Sequence, residues 1–189
     1  MAKQQNAASG GWFDIRKKLS KVTERDLLAL VGDLYQLSPK NRSFLESRFL
    51  PSETTLDKYK AAIRQHMCPA YFDMINMRPY FKIKAAKDVI AEYKKATGDA
   101  WGVLELMVYY AEVACAYAKK HGDLFNAYYS SVISVYKNAL TYLQKQELSQ
   151  ALPYIERLQK LPALVRSIGW GFPDTMQKFF SDAVENLGT

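Results

Sequence analysis

Two carboxylates, Glu105 and Glu112, stand seven residues apart in the run Trp101 to Ala118, with Tyr109 between them. On a helix that spacing puts all three on one face. Inward carboxylates of a helical bundle can hold a di-iron centre, but such centres use Glu-x-x-His pairs on two helices, and this chain has no such pair. Acid–base chemistry by Glu105, Tyr109 and Glu112 would need carboxyl pKa values moved away from their ordinary range. The same stripe reads as a solvated or salt-bridged face. With Asn126, Ser130 and Ser134 on the next helical segment it makes a candidate polar groove.

The soft and imidazole ligands are His66, Cys68, Cys115 and His121. His66-x-Cys68 is not a zinc spacing, and no local residue completes a ligand set. No metal and no cofactor are expected. Cys115 lies in the apolar run Val113 to Tyr117, where a buried small hydrophobe is the plain reading. His121 falls at a helix end, where positive charge favours the dipole. The chain has no Gly-x-Ser-x-Gly elbow, no Gly-x-x-x-x-Gly-Lys loop and no Gly-x-Gly-x-x-Gly, which sets aside the hydrolases and nucleotide enzymes built on those loops.

Charge is the other chemical signal. The net charge of +7 resides wholly in the first half: residues 1–100 hold 18 Lys and Arg against 11 Asp and Glu, and residues 101–189 hold 8 of each. A localised basic surface attracts polyanions. The candidate polyanion-binding residues are Arg16, Lys17, Lys18 and Lys21, with Arg78, Tyr80, Lys82, Lys84 and Lys87. Cations mixed with aromatics suit phosphate contacts and base stacking. They equally suit aromatics turned into a core with lysines turned out.

Helices must position these residues. Thr23 caps a helix carrying Leu27, Leu28, Val31, Leu34 and Tyr35. Ser38-Pro39 opens the next, and Ser52 opens a third carrying Leu56, Tyr59, Ile63 and Met67. These starts combine capping side chains with proline at the first helical position. Residues 69–81 are expected to be a linker with one short helix. A helix follows from about Lys82 to Ala96. Gly98-Asp99 and Gly122-Asp123 then repeat one stop-and-start signal around an almost wholly apolar central helix. Asp123 is expected to cap a helix to about Gln146. Shorter helices are expected over Ser149–Gln159 and Pro162–Ile168, with a last one after Pro173. No alternating run is long enough for a convincing strand. The fold class is all-α, a helical bundle or short irregular solenoid of antiparallel helix pairs. Residues 1–15 are expected to be a disordered tail and 16–189 a single helical domain. No stretch reaches the roughly 20 apolar residues of a membrane span, and two cysteines fit a reducing compartment, so a cytoplasmic location is expected.

Leu27 to Tyr35 followed by Asn41, Phe44-Leu45-Glu46 and Arg48, then Leu56 to Lys60, resembles a family of uncharacterised bacterial proteins. So do Ile90 to Asp99, Glu105 to Tyr110 and Gly122-Asp123, and the string Tyr93-Lys94-Lys95-Ala96-Thr97-Gly98-Asp99 is the most specific part. The resemblance spans roughly residues 19–143. It implies a small bacterial helical protein and transfers no activity or catalytic residue. The expected function is therefore a non-catalytic helical interaction or adaptor protein with an unidentified protein partner, the alternative being a nucleic-acid-binding module that uses the basic half. An enzyme with a helical site at Glu105, Tyr109 and Glu112 ranks third.

Overall fold

The computed structural model describes residues 11–69, 72–73, 78–122 and 124–185, with the backbone alone for 53, 72, 73, 78 and 79. The fold is all-α. The chain divides into two compact units, Met1–Glu46 and Ser47–Thr189.

In the first unit, α1 spans Trp12–Leu19 and α2 spans Glu24–Leu37. The expected tail over 1–15 thus gives way to helix at Trp12, while residues 1–10 lie outside the described residues. The start has a local cause. The Gly11 carbonyl accepts the amides of Asp14 and Ile15, with acidic Asp14 in the first turn and Arg16 to Lys18 in the last, the polarity that a helix dipole favours. The Thr23 hydroxyl accepts the Asp26 amide at 3.2 Å and caps α2. Helix α3, Pro39–Phe49, crosses the boundary between the units. Its first turn is held by Ser38, whose hydroxyl accepts the Asn41 amide at 3.1 Å. The Asn41 side chain turns back to donate to the Leu34 carbonyl at 2.8 Å, satisfying one of the orphan carbonyls at the end of α2.

The second unit contains α4 (Glu53–Met67), a minimal antiparallel hairpin of β1 (Phe72–Asp73) and β2 (Arg78–Pro79), α5 (Ile83–Thr97), α6 (Ala100–His121), α7 (Asn126–Leu143), α8 (Leu148–Leu164) and α9 (Phe172–Glu185). The hairpin stands where a short helix was expected. Its strands pair Phe72 with Pro79 and Asp73 with Arg78, and beyond β2 the Lys82 amide donates to the His66 carbonyl at 3.1 Å, in the last turn of α4. Residues 70, 71 and 74–77 of the expected linker lie outside the described residues, as does Asp123. Helix α7 begins at Asn126 with Phe125 in the N-cap position.

Helix α6 is the axis of this unit and packs against α4, α5, α7 and α8. Its apolar surface is buried nearly all round, through Val103, Leu104, Leu106, Val108, Tyr110 and Val113 among others. Each such side chain contributes roughly 1.5–3 kcal/mol on leaving water. Gly98 ends α5 at φ 68°, the left-handed conformation that glycine adopts without strain. Asp99 then accepts the Gly102 amide at 3.0 Å and starts α6.

Helix α8 corrects the expectation of separate helices over Ser149–Gln159 and Pro162–Ile168. One helix runs through Pro162 to Leu164. A proline inside a helix removes one amide and orphans the carbonyl four residues earlier. Here that carbonyl belongs to Leu158, and the buried Tyr136 hydroxyl of α7 donates to it at 3.2 Å. Helix α9 covers α7 and α8 through buried Phe172, Met176, Phe180 and Ala183.

Candidate functional site

The carboxylates singled out in the sequence are held by two cations from other helices. Arg157 of α8 donates through Nε and Nη2 to Glu112, each at 2.7 Å, and through Nη1 and Nη2 to Glu105 at 2.5 and 3.2 Å. Lys60 of α4 reaches Glu105 at 2.7 Å and lies 5.5 Å from the centre of the Tyr109 ring. The Arg157 guanidinium also lies 5.6 Å from the Tyr154 ring centre, and Tyr154 stacks on Trp101. The planar fork of arginine suits such a double bidentate grip. Burial raises the Glu105 pKa, but the hydrogen bonds from Arg157 and Lys60 outweigh it and hold the carboxyl below its ordinary value. A carboxylate so stabilised is a poor proton acceptor at neutral pH. The stripe is a salt-bridged lock joining α4, α6 and α8.

The candidate groove separates into parts. Ser134 lines a cleft of about 230 Å³ with Lys87, Lys94, Val103, Met107 and Asn138. Val103 and Met107 sit about half a helical turn away from Glu105 and Glu112 at 100° per residue, so Ser134 and the two carboxylates lie on opposite faces of α6. Asn126 and Ser130 are exposed and bond to each other at 3.3 Å.

Between α4 and α6 lies a larger cleft, of about 620 Å³, lined by Arg64, Cys68, Glu112, Tyr117, Lys120 and His121 with Pro69, Val113 and Ala116. His121 stacks on Tyr117 at 4.1 Å. Burial pushes the Cys68 thiol pKa up, with Arg64 opposing, and burial pushes Cys115 up to about 12. Both thiols are thus kept protonated, the unreactive form. Among the described residues no group of three or more His, Cys, Asp or Glu is placed to hold a metal ion.

The candidate polyanion residues fall in both units. Arg16, Lys17 and Lys18 belong to α1, and Lys21 to the turn after it. In the second unit Tyr80 is exposed, with the Lys82 ammonium 5.6 Å from its ring centre. Lys84 pairs with Asp88 at 2.8 Å one turn along α5, and Lys87 lines the smaller cleft. The Arg78 side chain lies outside the described residues.

The apolar side chains of α1 and α2 were not among the expected site residues. Neither α1 nor α2 has a buried residue. Trp12, Phe13, Ile15, Leu28, Leu30, Val31, Leu34 and Leu37 are exposed, Phe13 at 78% and Leu37 at 75%. The apolar arc of α2 is framed by Glu24, Asp26 and Asp33. Large apolar side chains exposed in such number are uncommon on a folded chain. Their signal in the sequence was the spacing of Leu27, Leu30, Leu34 and Leu37, three, four and three residues apart, which is the seam pattern of paired helices.

Residues 12–168 match a family of unknown function, DUF6155. The chain belongs to that family. No curated protein and no solved structure matches it. The segment matched by DUF6155 includes the uncovered helices, the lock and both clefts, and it extends the resemblance seen over 19–143 at both ends. No described helix of this DUF6155 chain is long and apolar enough to cross a membrane.

Proposed function

We propose that this chain is a non-catalytic helical interaction protein that docks a protein partner through the apolar face of α1 and α2. The observation that carries this is the complete absence of buried residues in two amphipathic helices that present Leu28, Leu30, Val31, Leu34 and Leu37 to solvent. Leaving such side chains in water forgoes roughly 1.5–3 kcal/mol each, which a partner would recover. The test is capture by tagged full-length protein, comparing wild type with Leu30→Glu/Leu34→Glu, at moderate salt and after nuclease treatment. A stoichiometric protein bound by wild type and lost from the variant is expected. Equal capture by both would remove this surface from the function.

Nucleic-acid binding is the second reading, favoured by the exposed Tyr80 ring beside Lys82. It predicts affinity that falls steeply with salt, in proportion to the phosphates contacted, and that drops on Tyr80→Ala/Lys82→Ala. A flat salt response removes it.

A further inference from the structure

We infer that the cleft between α4 and α6 binds a small organic anion, whose carboxylate or phosphate is held by Arg64, Lys120 and the His121 ring and whose apolar body lies on Val113, Ala116 and Tyr117. All the lining residues belong to the second unit, so the site is independent of the docking reading above.

The cleft sits at a step between two helices. The Tyr128 hydroxyl is shared between the carbonyls of Met67 and Ala114, at 3.3 and 3.2 Å, and the Cys68 thiol donates to that of Val113 at 3.6 Å. The end of α4 therefore stands level with residues 113 and 114 of α6. Helix α6 runs on to His121, about two turns further. Over this stretch it presents two rows of residues spaced by four: Glu112, Ala116 and Lys120, then Val113, Tyr117 and His121. Residues so spaced share a face. Ala116 brings only a methyl group, which leaves room between its long neighbours. At about 620 Å³ the cleft has the size of sites for small organic ligands.

Charge favours an anion there. Among the described residues neither Arg64 nor Lys120 forms an ion pair. The carboxylate that lines the cleft, Glu112, gives both oxygens to Arg157 at 2.7 Å. Cys68 keeps its proton, because burial pushes its pKa up. Cations gathered in a concave wall focus their field on what enters it, and the arginine fork matches two oxygens of a carboxylate or phosphate. The aromatic wall is fixed in advance. The Tyr117 hydroxyl donates to the Pro69 carbonyl at 3.4 Å, and its ring meets Phe81 edge-on and stacks with His121. Basic residues in the last turn of α6 also complement its dipole. Lys119 serves that end without lining the cleft, and a dipole role selects no ligand with an apolar body.

The probes are 3-phenylpropionate and phenyl phosphate, with 3-phenylpropanol and inorganic phosphate as the apolar and anionic halves alone. Each is titrated into the full-length protein at fixed ionic strength, and the melting temperature and the His121 ring signals in NMR spectra are followed. The expected result is that at least one aryl anion raises the melting temperature and shifts His121 to saturation, at lower concentration than either half. Arg64→Gln/Lys120→Gln should weaken that binding about tenfold or more. Lys145→Gln/Lys178→Gln removes the same charge from residues that do not line the cleft and should leave binding unchanged. The better of the two aryl anions names the head group. Failure of both to bind at millimolar concentration overturns the proposal. Equal binding of 3-phenylpropanol overturns the role of the cations. Inorganic phosphate binding as well as both aryl anions overturns the role of the apolar wall. Equal weakening by the two double variants overturns the cleft as the location.

Discussion

The Tyr136 hydroxyl donates to the Leu158 carbonyl at 3.2 Å, and Leu158 stands four residues before Pro162. A side chain of α7 thus supplies the hydrogen that the proline removed from α8. Leaving a buried carbonyl without a partner costs about 1–3 kcal/mol. Tyr136→Phe should therefore lower the midpoint of urea denaturation by that order. Pro162→Ala returns an amide to Leu158, so Tyr136→Phe should cost less in a Pro162→Ala background than in wild type. Additive effects in this cycle would show that the two residues do not share the carbonyl.

Arg157 holds four carboxylate oxygens, and Lys60 pairs with Glu105. Arg157→Met should destabilise the chain by about 1–3 kcal/mol, less than for a wholly buried pair because the arginine side chain is 31% exposed. Glu112→Gln added to Arg157→Met should recover part of the loss, because Glu105 keeps Lys60 while the Glu112 carboxylate would otherwise have lost the arginine that holds it. Denaturant titration of the three proteins at neutral pH measures both steps.

The lock also sets an acid limit. The folded Glu105 carboxyl has a pKa below its ordinary value, where hydrogen bonds from Arg157 and Lys60 overcome the effect of burial. A depressed folded pKa contributes stability that is present above the unfolded value, about 4.3, and is lost as pH falls through the folded value. Wild type should therefore lose stability more steeply than Glu105→Gln below about pH 4.3. Parallel stability curves for the two proteins would contradict that assignment.

Gly102 gives a prediction against helix propensity. Alanine is favoured over glycine in a helix by about 1 kcal/mol, yet a Cβ here would collide with the Tyr93 hydroxyl and the Asp99 carboxylate. Those two groups bond at 2.7 Å, and Asp99 is also the cap of α6. Gly102→Ala should destabilise by about 1–3 kcal/mol. Gly32→Ala in α2, where a Cβ meets nothing within 4 Å, should instead raise stability or helicity. Thermal melts of both variants should move in opposite directions.

What could be read from the sequence was local. Thr23, Ser38 and Asp99 cap their helices through amides three residues away, and Gly98 closes α5 within one turn. These bonds depend on residue type and spacing alone. The continuity of α8 was not legible, because proline normally ends a helix and the compensating hydroxyl lies 22 residues before the carbonyl it serves. The Glu105 and Glu112 stripe was visible, but its partner Arg157 stands 52 and 45 residues away. Ser134 joined the expected groove because it shares a polar face with Ser130 on α7, and only the placement of α5 and α7 around α6 puts it behind the carboxylates. The leucine seam of α2 was legible as periodicity, whereas periodicity alone does not say that Leu30, Leu34 and Leu37 are exposed.

The family match closes at residue 168, but the oily interior does not. Phe172, Met176, Phe180 and Ala183 of α9 are buried, and the Ala183 carbonyl accepts the Gln144 amide at 3.3 Å. A recombinant fragment cut to the family's edge would strip one wall from α7 and α8 and leave a sticky flank of its own making. Such a fragment would self-associate for reasons foreign to the native molecule. The inherited module and the folding module have different ends here, and assays of binding need the longer one.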